Sequence, residues 1–197
     1  MSLPAWTEDP ESLALTEEQY DALPDQVRKM VEVIDGYVIV CQSGTPEHSR
    51  AARRLASHLE AARPAKPCTQ VDTDIDVYFV KRCEPGGKLS FRRPNVSVYR
   101  CLERGSKVTS RDALMVVEIV SPGSVYVDTV DKLAEYAHEG IPVYLVVHLD
   151  GDLYVKMIQE YRLDRASRTC RLASTHVDKL TLEDPFPAAI TFGDLDG

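Results

Sequence analysis

The sequence lacks any apolar run that is long enough to cross a membrane. Its longest apolar stretches, such as LMVVEIV at 114–120 and IPVYLVV at 141–147, are far shorter than the roughly 18 residues that a membrane helix needs. The N-terminal stretch MSLPAWTEDPES also lacks the basic start and the apolar segment of a signal peptide. We therefore expect a cytoplasmic protein with no membrane partner.

Closely spaced cysteines are also missing. The five cysteines are odd in number, widely spread and free of any CxxC pair, so we expect neither a disulfide framework nor a structural zinc site. We predict that they are small core or surface residues. They are Cys41, Cys68, Cys83, Cys101 and Cys170.

Positive charge is scarce, and it is absent from the start of the chain. The formal net charge is -8, and residues 1–25 contain seven acids and no Lys or Arg. The remaining 172 residues therefore carry a net charge of only -1. Phosphate contacts come from Lys and Arg, so the charge gives no support for a nucleic-acid partner but does not exclude a local basic surface.

The chain has no internal repeat and no low-complexity linker. Its 197 residues, 44% of them apolar, suit one soluble domain with a substantial core. We predict an acidic, irregular leader over residues 1–15 and a single domain over residues 16–197.

Strand and helix patterns alternate along the chain. Asp35-Gly36 between two apolar arms predicts a β-hairpin, because both central residues of a type I′ turn take positive φ. A stripe of Ala52, Leu55 and Leu59 predicts an amphipathic helix. The whole series predicts an α/β or α+β fold, with a mixed sheet flanked by helices. The predicted helices are 16–23, 45–63 and 127–140, and the strands are 30–34, 37–40, 71–80, 94–99, 114–120, 143–149 and 153–163, with the last two joined at Asp150-Gly151 and one further strand and an acidic tail after Asp164.

Two acids stand where apolar residues are expected. Glu118 lies inside the apolar strand MVVEIV, and Glu32 lies opposite Ile39 on an apolar face of the hairpin. A buried carboxylate is costly unless a cation, a metal or a hydrogen-bond donor compensates it. Either each acid reaches water at a strand end, or the two converge on a metal such as Mg²⁺, which prefers carboxylate oxygens.

Lys132 is the candidate cation. It lies four residues after Asp128 on the predicted helix, in the order that favours a helical ion pair. The alternative is that Lys132 points toward Glu118, where it would orient an attacking water and stabilise developing negative charge.

Six ordered segments carry a resemblance to a known family. In order and spacing they are similar to the bacterial family described as putative restriction endonucleases, within the PD-(D/E)xK nuclease superfamily. The resemblance covers about residues 15–165, and it is specific because six motifs match in order. The segments are VEVIDGYVIV, SGTPEHSRAARRLASHL, RRPNVSVY, MVVEIVSPGS, DTVDKLAEYAHEGIPVYLVV and YRL.

The resemblance implies a set of site residues. Glu118 and the acid of the family's RPD motif would ligate Mg²⁺ or Mn²⁺, and Lys132 would be the catalytic lysine, since Val120 occupies the position two after Glu118. Glu32 and His48 match further site positions of the family. The substrate-binding candidates are Arg93, Ser121 and Asp128.

The RPD motif reads RPN in this chain, with Asn95 in place of the acid. An amide oxygen can coordinate a metal, but it brings no negative charge, so the metal affinity is expected to fall. Another series of acids, Asp72, Asp74 and Asp76, alternates along one predicted strand and is interpreted as a solvated face.

These observations leave three hypotheses open. The first is a Mg²⁺-dependent DNA endonuclease, with Glu118 and Asn95 around the metal. The second is a nuclease fold that has lost its metal acid and serves as a DNA-binding or protein-interaction homodimer. The third is that Glu118 and Lys132 form a purely structural ion pair. A homodimer is expected because two-fold dimers are the commonest assemblies of soluble proteins and of the superfamily.

Overall fold

A six-stranded mixed sheet forms the centre of the structure. The computed structural model describes residues 14–41, 44–81, 88–120 and 125–197, and for residues 125–129 it describes the backbone alone. The strand order is β10-β9-β8-β7-β6-β3, and of these pairs β7 and β8 are parallel. The strands are β3 (Thr69–Thr73), β6 (Val96–Arg100), β7 (Ala113–Val120), β8 (Val143–Leu149), β9 (Val155–Asp164) and β10 (Thr169–His176).

Two helices cover the sheet, and the alternation of β7 decides which residue meets which helix. Helix α3 (Pro46–Ala62) packs with Met115, Val117 and Ile119, whereas Val116 and Val120 pack with residues of α4 (Val125–Glu139). Successive residues of a strand point to opposite faces. Glu118 therefore faces α4, the helix that carries Lys132, and the predicted fold class is confirmed.

A second, smaller sheet contains the predicted hairpin. Its strand order is β2-β1-β5-β4, formed by β1 (Val31–Ile34), β2 (Tyr37–Val40), β4 (Val77–Tyr78) and β5 (Phe91–Arg92). Asp35 and Gly36 have φ angles of 51° and 82°, and Glu32 lies opposite Ile39, so the turn and the register are confirmed. Helices α1 (Glu17–Asp21) and α2 (Asp25–Arg28) precede the hairpin, and Thr16 caps α1.

The strand predicted over residues 71–80 is wrong, because the chain breaks at Asp74. Asp74 has a φ of 53°, in the left-handed region, which ends a strand. The first half becomes β3 of the large sheet, and the second half becomes β4 of the small sheet. Asp74 therefore lies at the junction between the two sheets.

The C-terminal region holds more structure than its sequence pattern indicated. After β10 come β11 (Lys179–Leu182), β12 (Ala188–Thr191) and α5 (Phe192–Asp196), where only one strand and a tail were predicted. Leu180, Ile190 and Leu195 are buried in the core beneath α3. These short segments are stabilised by packing against distant parts of the chain, so their own sequences show only a weak strand or helix periodicity.

One cysteine pair corrects the prediction of unpaired cysteines. Cys68 and Cys101 form a disulfide with a Cα–Cα distance of 5.5 Å. The pairing of Thr69 with Arg100 brings these flanking residues side by side at the end of β3 and β6. Cys41 and Cys170 are free and partly buried, and Cys83 lies outside the described residues.

The structure covers only part of the predicted leader and only part of the chain searched for membrane helices. Residues 1–13 of the predicted leader lie outside the described residues, so the division at residue 15 stays a prediction. In the described part of the chain, no helix is both long and apolar enough to cross a membrane.

Candidate active site

Glu118 and Lys132 form a buried ion pair between β7 and α4. The Lys132 Nζ lies 3.0 Å from Glu118 Oε1, and the Tyr136 hydroxyl donates a hydrogen bond of 2.8 Å to the same oxygen. Lys132 and Tyr136 are four residues apart and so share one face of α4. Both members of the pair are more than 90% buried. The predicted meeting of Glu118 with Lys132 is confirmed, and their roles are considered below.

The pKa of the Glu118 carboxyl is raised above its ordinary value. Burial raises the pKa of its carboxyl, and the charge of Lys132 and the hydrogen bonds of Lys132 and Tyr136 act in the opposite direction. The negative charge of Glu32 adds to the upward shift of this pKa, which places Glu32 close by. Burial also holds the pKa of Tyr136 well above its usual value, so its phenol remains a donor.

Glu32 is held by a buried network in which Arg92 is central. Arg92 Nη1 donates to Glu32 Oε2 at 2.8 Å, and the backbone N–H of Arg93 donates to Glu32 Oε1 at 2.8 Å. Arg92 also binds Glu135 of α4 through two hydrogen bonds of 2.8 and 3.0 Å. Glu32 is therefore fixed beside Glu118, and the hairpin is tied to α4. The sequence analysis did not identify Glu135 as part of this network.

Asn95 and His48 both bind the backbone of Ile119, the residue after Glu118. The Asn95 Oδ1 accepts a 2.7 Å hydrogen bond from the Ile119 N–H, and the Ile119 carbonyl lies 3.0 Å from His48 Nε2. The pairing of β6 with β7 ends at Val96, opposite Val117. The two side chains thus satisfy backbone groups beyond the end of the neighbouring strand.

His48 lies in a partly buried position that is tightly enclosed. Burial lowers the pKa of its imidazole; the bond to Ile119 and the charge of Asp74 oppose that shift, and the charge of Lys132 adds to it. A Cβ at Gly44 would lie 2.5 Å from His48 Nδ1, so only glycine fits against the ring at that position. The imidazole of His48 is therefore within electrostatic range of both Lys132 and Asp74.

Asp74 is a further acid, and it lies beside His48 and Asn95. Asp72 and Asp74 are exposed and Asp76 is partly buried, so the interpretation of the series as a solvated face is confirmed for Asp72 and Asp74. Partial burial raises the pKa of Asp74, while His48 and a hydrogen bond with Asn95 lower it. Because Asn95 Oδ1 already accepts from Ile119, the amide donates to Asp74 through Nδ2. The other two acids of the series are also bound: Asp72 accepts from Tyr99, and Asp76 pairs with Arg93.

The left-handed backbone and the register explain how Asp74 reaches Asn95. Thr73 pairs with Val96 in an antiparallel register, so Asp74, which follows Thr73, and Asn95, which precedes Val96, are neighbours. Asp74 also lines a cleft of about 400 Å³. The cleft is also lined by Thr73 and by residues from the first turns of α3, two of which are the cations Arg50 and Arg53. The other residues of α3 in the lining are Pro46, Ser49 and Ala52.

A family model described as "Uma2: Putative restriction endonuclease" matches residues 17–195. The chain belongs to the Uma2 family. No curated protein matches it significantly.

A solved structure shares the fold of this Uma2 protein. It is the crystal structure at 1.96 Å of a putative nuclease belonging to DUF820 from Anabaena variabilis ATCC 29413. The two chains are 15% identical, the TM-score is 0.63, and the match covers 92% of this chain and 97% of the other. At this low sequence identity the structural similarity establishes only that the two chains share a fold. The family match confirms the resemblance to the putative restriction endonuclease family.

The three substrate-binding candidates have different outcomes in the Uma2 protein. Arg93 donates to Asp76 at 2.7 Å and to the carbonyls of Lys29 and Arg28 at 2.7 and 3.0 Å, which is a structural role that does not favour substrate binding. Ser121 lies outside the described residues, and only the backbone of Asp128 is described. Their predicted roles stay predictions.

The acids of the site are spread over several elements. Within the described ranges, no group of three or more His, Cys, Asp or Glu side chains is placed to hold an ion by itself. Glu118, Asp74 and the amide oxygen of Asn95 are oxygen donors of the type that Mg²⁺ prefers. Mg²⁺ usually keeps several waters and uses only one or two protein carboxylates, so it does not require a larger protein donor set.

Proposed function

We propose that this Uma2 protein is a metal-dependent nuclease that hydrolyses phosphodiester bonds in DNA by PD-(D/E)xK-type chemistry. The observation that carries the proposal is the buried pair of Glu118 and Lys132, whose lysine acts electrostatically on His48, as Asp74 also does. A buried ion pair is weak evidence for stability, because desolvation offsets its attraction. A charged cluster beside an open cleft is better explained by chemistry in that cleft.

The carboxylates would hold Mg²⁺ or Mn²⁺. Glu118 and Asp74 supply the negative charge, and Asn95 contributes a neutral oxygen. A bound divalent ion polarises a phosphodiester and lowers the pKa of bound water. Asp74 would thereby supply the charge that the amide of Asn95 lacks.

Lys132 would act on the attacking water and on the reacting phosphate. Its ammonium group is buried and held by Glu118, so it is preorganised in a medium of low dielectric. There it can orient the water and stabilise the negative charge that develops on the phosphate. Glu32 and His48 position these groups, Glu32 beside Glu118 and His48 at the end of β7.

The cleft next to Asp74 would receive the DNA backbone. Arg50 and Arg53 line it, and guanidinium groups bind phosphate through paired hydrogen bonds. The acid and the arginines lie in the same cleft, which would bring a phosphate next to the metal.

Metal affinity tests this assignment without depending on activity. Calorimetry with Mn²⁺ should give stoichiometric binding to the wild type and at least about tenfold weaker binding to Asp74→Asn, since a ligand charge is lost. Asn95→Asp should bind Mn²⁺ more tightly. The double variant Asn95→Asp/Asp74→Asn restores one acid and one amide, so it should return toward the wild-type affinity.

Asp72→Asn is the matched control for the calorimetry, because Asp72 lies on the same strand but binds Tyr99. Its Mn²⁺ affinity should equal that of the wild type. Equal affinity of Asp74→Asn and the wild type would exclude Asp74 as a ligand. For the reaction itself, nicking of plasmid DNA in Mg²⁺ or Mn²⁺ should disappear in Glu118→Ala, and unchanged nicking there would refute the nuclease proposal.

A second function is favoured by the way Asn95 is bound. Its oxygen accepts from Ile119 and its amide donates to Asp74, so both ends of the side chain have partners without a metal. The chain would then be a DNA-binding or protein-interaction homodimer with the nuclease fold. Plasmid binding with no Mn²⁺ uptake and no nicking, together with a dimer in sedimentation equilibrium, would select this function.

A further inference from the structure

A second cleft lies at the opposite end of the large sheet from Glu118. It has a volume of about 350 Å³, within the range of roughly 300–1,000 Å³ for small-ligand sites. Ala113, at the start of β7, lines it, and Glu118 lies five residues further along that strand, or about 17 Å. The cleft is therefore separate from the candidate active site.

The cleft concentrates positive charge in a chain whose net charge is -8. Its lining includes five cations, contributed by the end of β6, by the β9–β10 turn and by the segments that precede β5 and β7. Glu139 is the acid in the lining. The cations are Lys81, Arg100, Arg111, Arg165 and Arg168.

These cations have no carboxylate partner among the described residues. Lys81 Nζ donates to the carbonyl of His138 at 2.6 Å, and Arg100 Nη1 donates to the carbonyl of Arg111 at 2.7 Å. No ion pair involves the guanidinium of Arg111, Arg165 or Arg168 within the part of the chain that the structure describes. Clustered like charges repel one another, so a bound anion would stabilise this arrangement.

The acid of the β9–β10 turn does not neutralise the cleft. Asp164 accepts a hydrogen bond of 2.9 Å from the Ala166 N–H and pairs with Arg171 at 2.9 Å. Arg171 is absent from the cleft lining. The turn thus keeps its own carboxylate occupied, and the two arginines that line the cleft remain available to a ligand.

Glu139 adds a second kind of recognition. It is 96% buried, and its Oε2 accepts hydrogen bonds from Ser110 Oγ at 2.6 Å and from the Lys81 N–H at 3.2 Å. Its Oε1 is buried with no hydrogen-bond partner within the described structure. A buried acceptor without a donor is destabilising, so a ligand that donates a hydrogen bond there would be favoured.

The position of the cleft at the end of α4 does not oppose an anion. The C-terminal end of a helix carries a partial negative charge, which would repel phosphate. Here Lys81 binds the carbonyl of His138 in the last turn, so an ammonium group offsets that charge. Gly140 permits this contact, because a Cβ there would lie 3.0 Å from Lys81 Nζ.

We propose that this cleft binds a nucleoside phosphate. The phosphate would lie on Arg165, Arg168 and Arg111, and a hydroxyl or amino group of the nucleoside would donate to Glu139 Oε1. Phosphate alone would leave Glu139 unsatisfied, and an uncharged nucleoside would leave the arginines uncompensated. The proposal stands independently of the nuclease function.

Calorimetry with the four nucleoside monophosphates, inorganic phosphate and the matching nucleosides tests this site. At least one monophosphate should bind about tenfold more tightly than inorganic phosphate or its nucleoside. Arg165 and Arg168 are exposed, so both can be replaced without disturbing the core. The double variant Arg165→Ala/Arg168→Ala should bind the monophosphate with at least about tenfold lower affinity, since charge-assisted hydrogen bonds are removed. Arg171→Ala, on the same turn but outside the cleft, should bind like the wild type.

Glu139→Gln separates the two parts of the site. It should weaken binding of the monophosphate several-fold while leaving inorganic phosphate unaffected, and thermal melting checks that the variant folds. Displacement of the monophosphate by a 5′-phosphorylated oligonucleotide would identify a strand end as the ligand, and its absence would identify a free nucleotide. Equal affinity for inorganic phosphate and every monophosphate, no binding of any, or an equal loss in Arg171→Ala would overturn the proposal.

Discussion

At the scale of single residues, His48 and Asn95 have structural duties that any catalytic role must share. Both bind the backbone of Ile119, so each stabilises the end of β7 next to Glu118. Loss of activity in a variant of either residue would therefore have two explanations, the loss of a catalytic role or the destabilisation of the end of β7. Measurements of stability against pH can separate them for His48, because its charge changes and that of Asn95 does not.

His48 should make the protein less stable in mild acid. Its pKa is lowered by burial, so the unfolded chain binds a proton more readily than the folded chain. The stabilisation by neutral His48 is complete above the unfolded value of 6.5 and is lost as the pH falls toward the lowered folded value. We expect urea unfolding to show a decline below pH 6.5, at no more than about 1.4 kcal/mol per pH unit.

His48→Gln should remove this part of the decline, because Gln does not titrate and can donate to the Ile119 carbonyl. His58→Gln is the control, since His58 is exposed on the same helix. The same pH slope in His48→Gln and in the wild type would contradict the lowered pKa.

At the scale of secondary-structure elements, Arg92 joins three of them. It lies on β5 and binds Glu32 of β1 and Glu135 of α4, and all three side chains are buried. The hairpin is thus attached to the helix that carries Lys132. Positioning of Glu32 beside Glu118 depends on this connection.

Arg92→Met should destabilise the protein by about 3–5 kcal/mol, because it leaves two buried carboxylates without their cation. Thermal or urea unfolding measures this change. Arg28→Met is the matched control: its pair with Asp25 is largely exposed, so its loss should change the stability far less. Similar losses in the two variants would show that the Arg92 network contributes no more than a surface pair.

At the scale of the whole molecule, the disulfide links two neighbouring strands of the large sheet. Cys68 and Cys101 are separated by 33 positions in the sequence. Closing a loop of that size restricts the unfolded chain and should stabilise the protein by about 3–4 kcal/mol. Cys68→Ser/Cys101→Ser should unfold at correspondingly lower urea concentration.

Dithiothreitol provides the check on the disulfide. It should lower the melting temperature of the wild type and leave that of the double serine variant unchanged, since Cys41 and Cys170 are free in both. A wild-type melting temperature that does not respond to the reductant would show that the bond contributes nothing to stability.

The sequence by itself determined the elements whose pattern is local. Asp35-Gly36 specified the hairpin and its register, because positive φ is required at both residues. The stripe of α3 specified its buried face, because helical periodicity is read within a few turns. The apolar neighbours of Glu118 raised the hypothesis that it is buried and compensated by a cation, with Lys132 as the candidate, and the structure confirms this alternative.

Only the tertiary structure decided which distant residues meet. Asp74 reaches Asn95 because β3 and β6 pair in a particular register and the chain turns at Asp74, and neither fact is encoded in the local pattern of three alternating acids. Cys68 and Cys101 are joined for the same reason. The strands β11 and β12 form because their apolar residues pack beneath α3, and that packing energy exists only once the rest of the chain has folded.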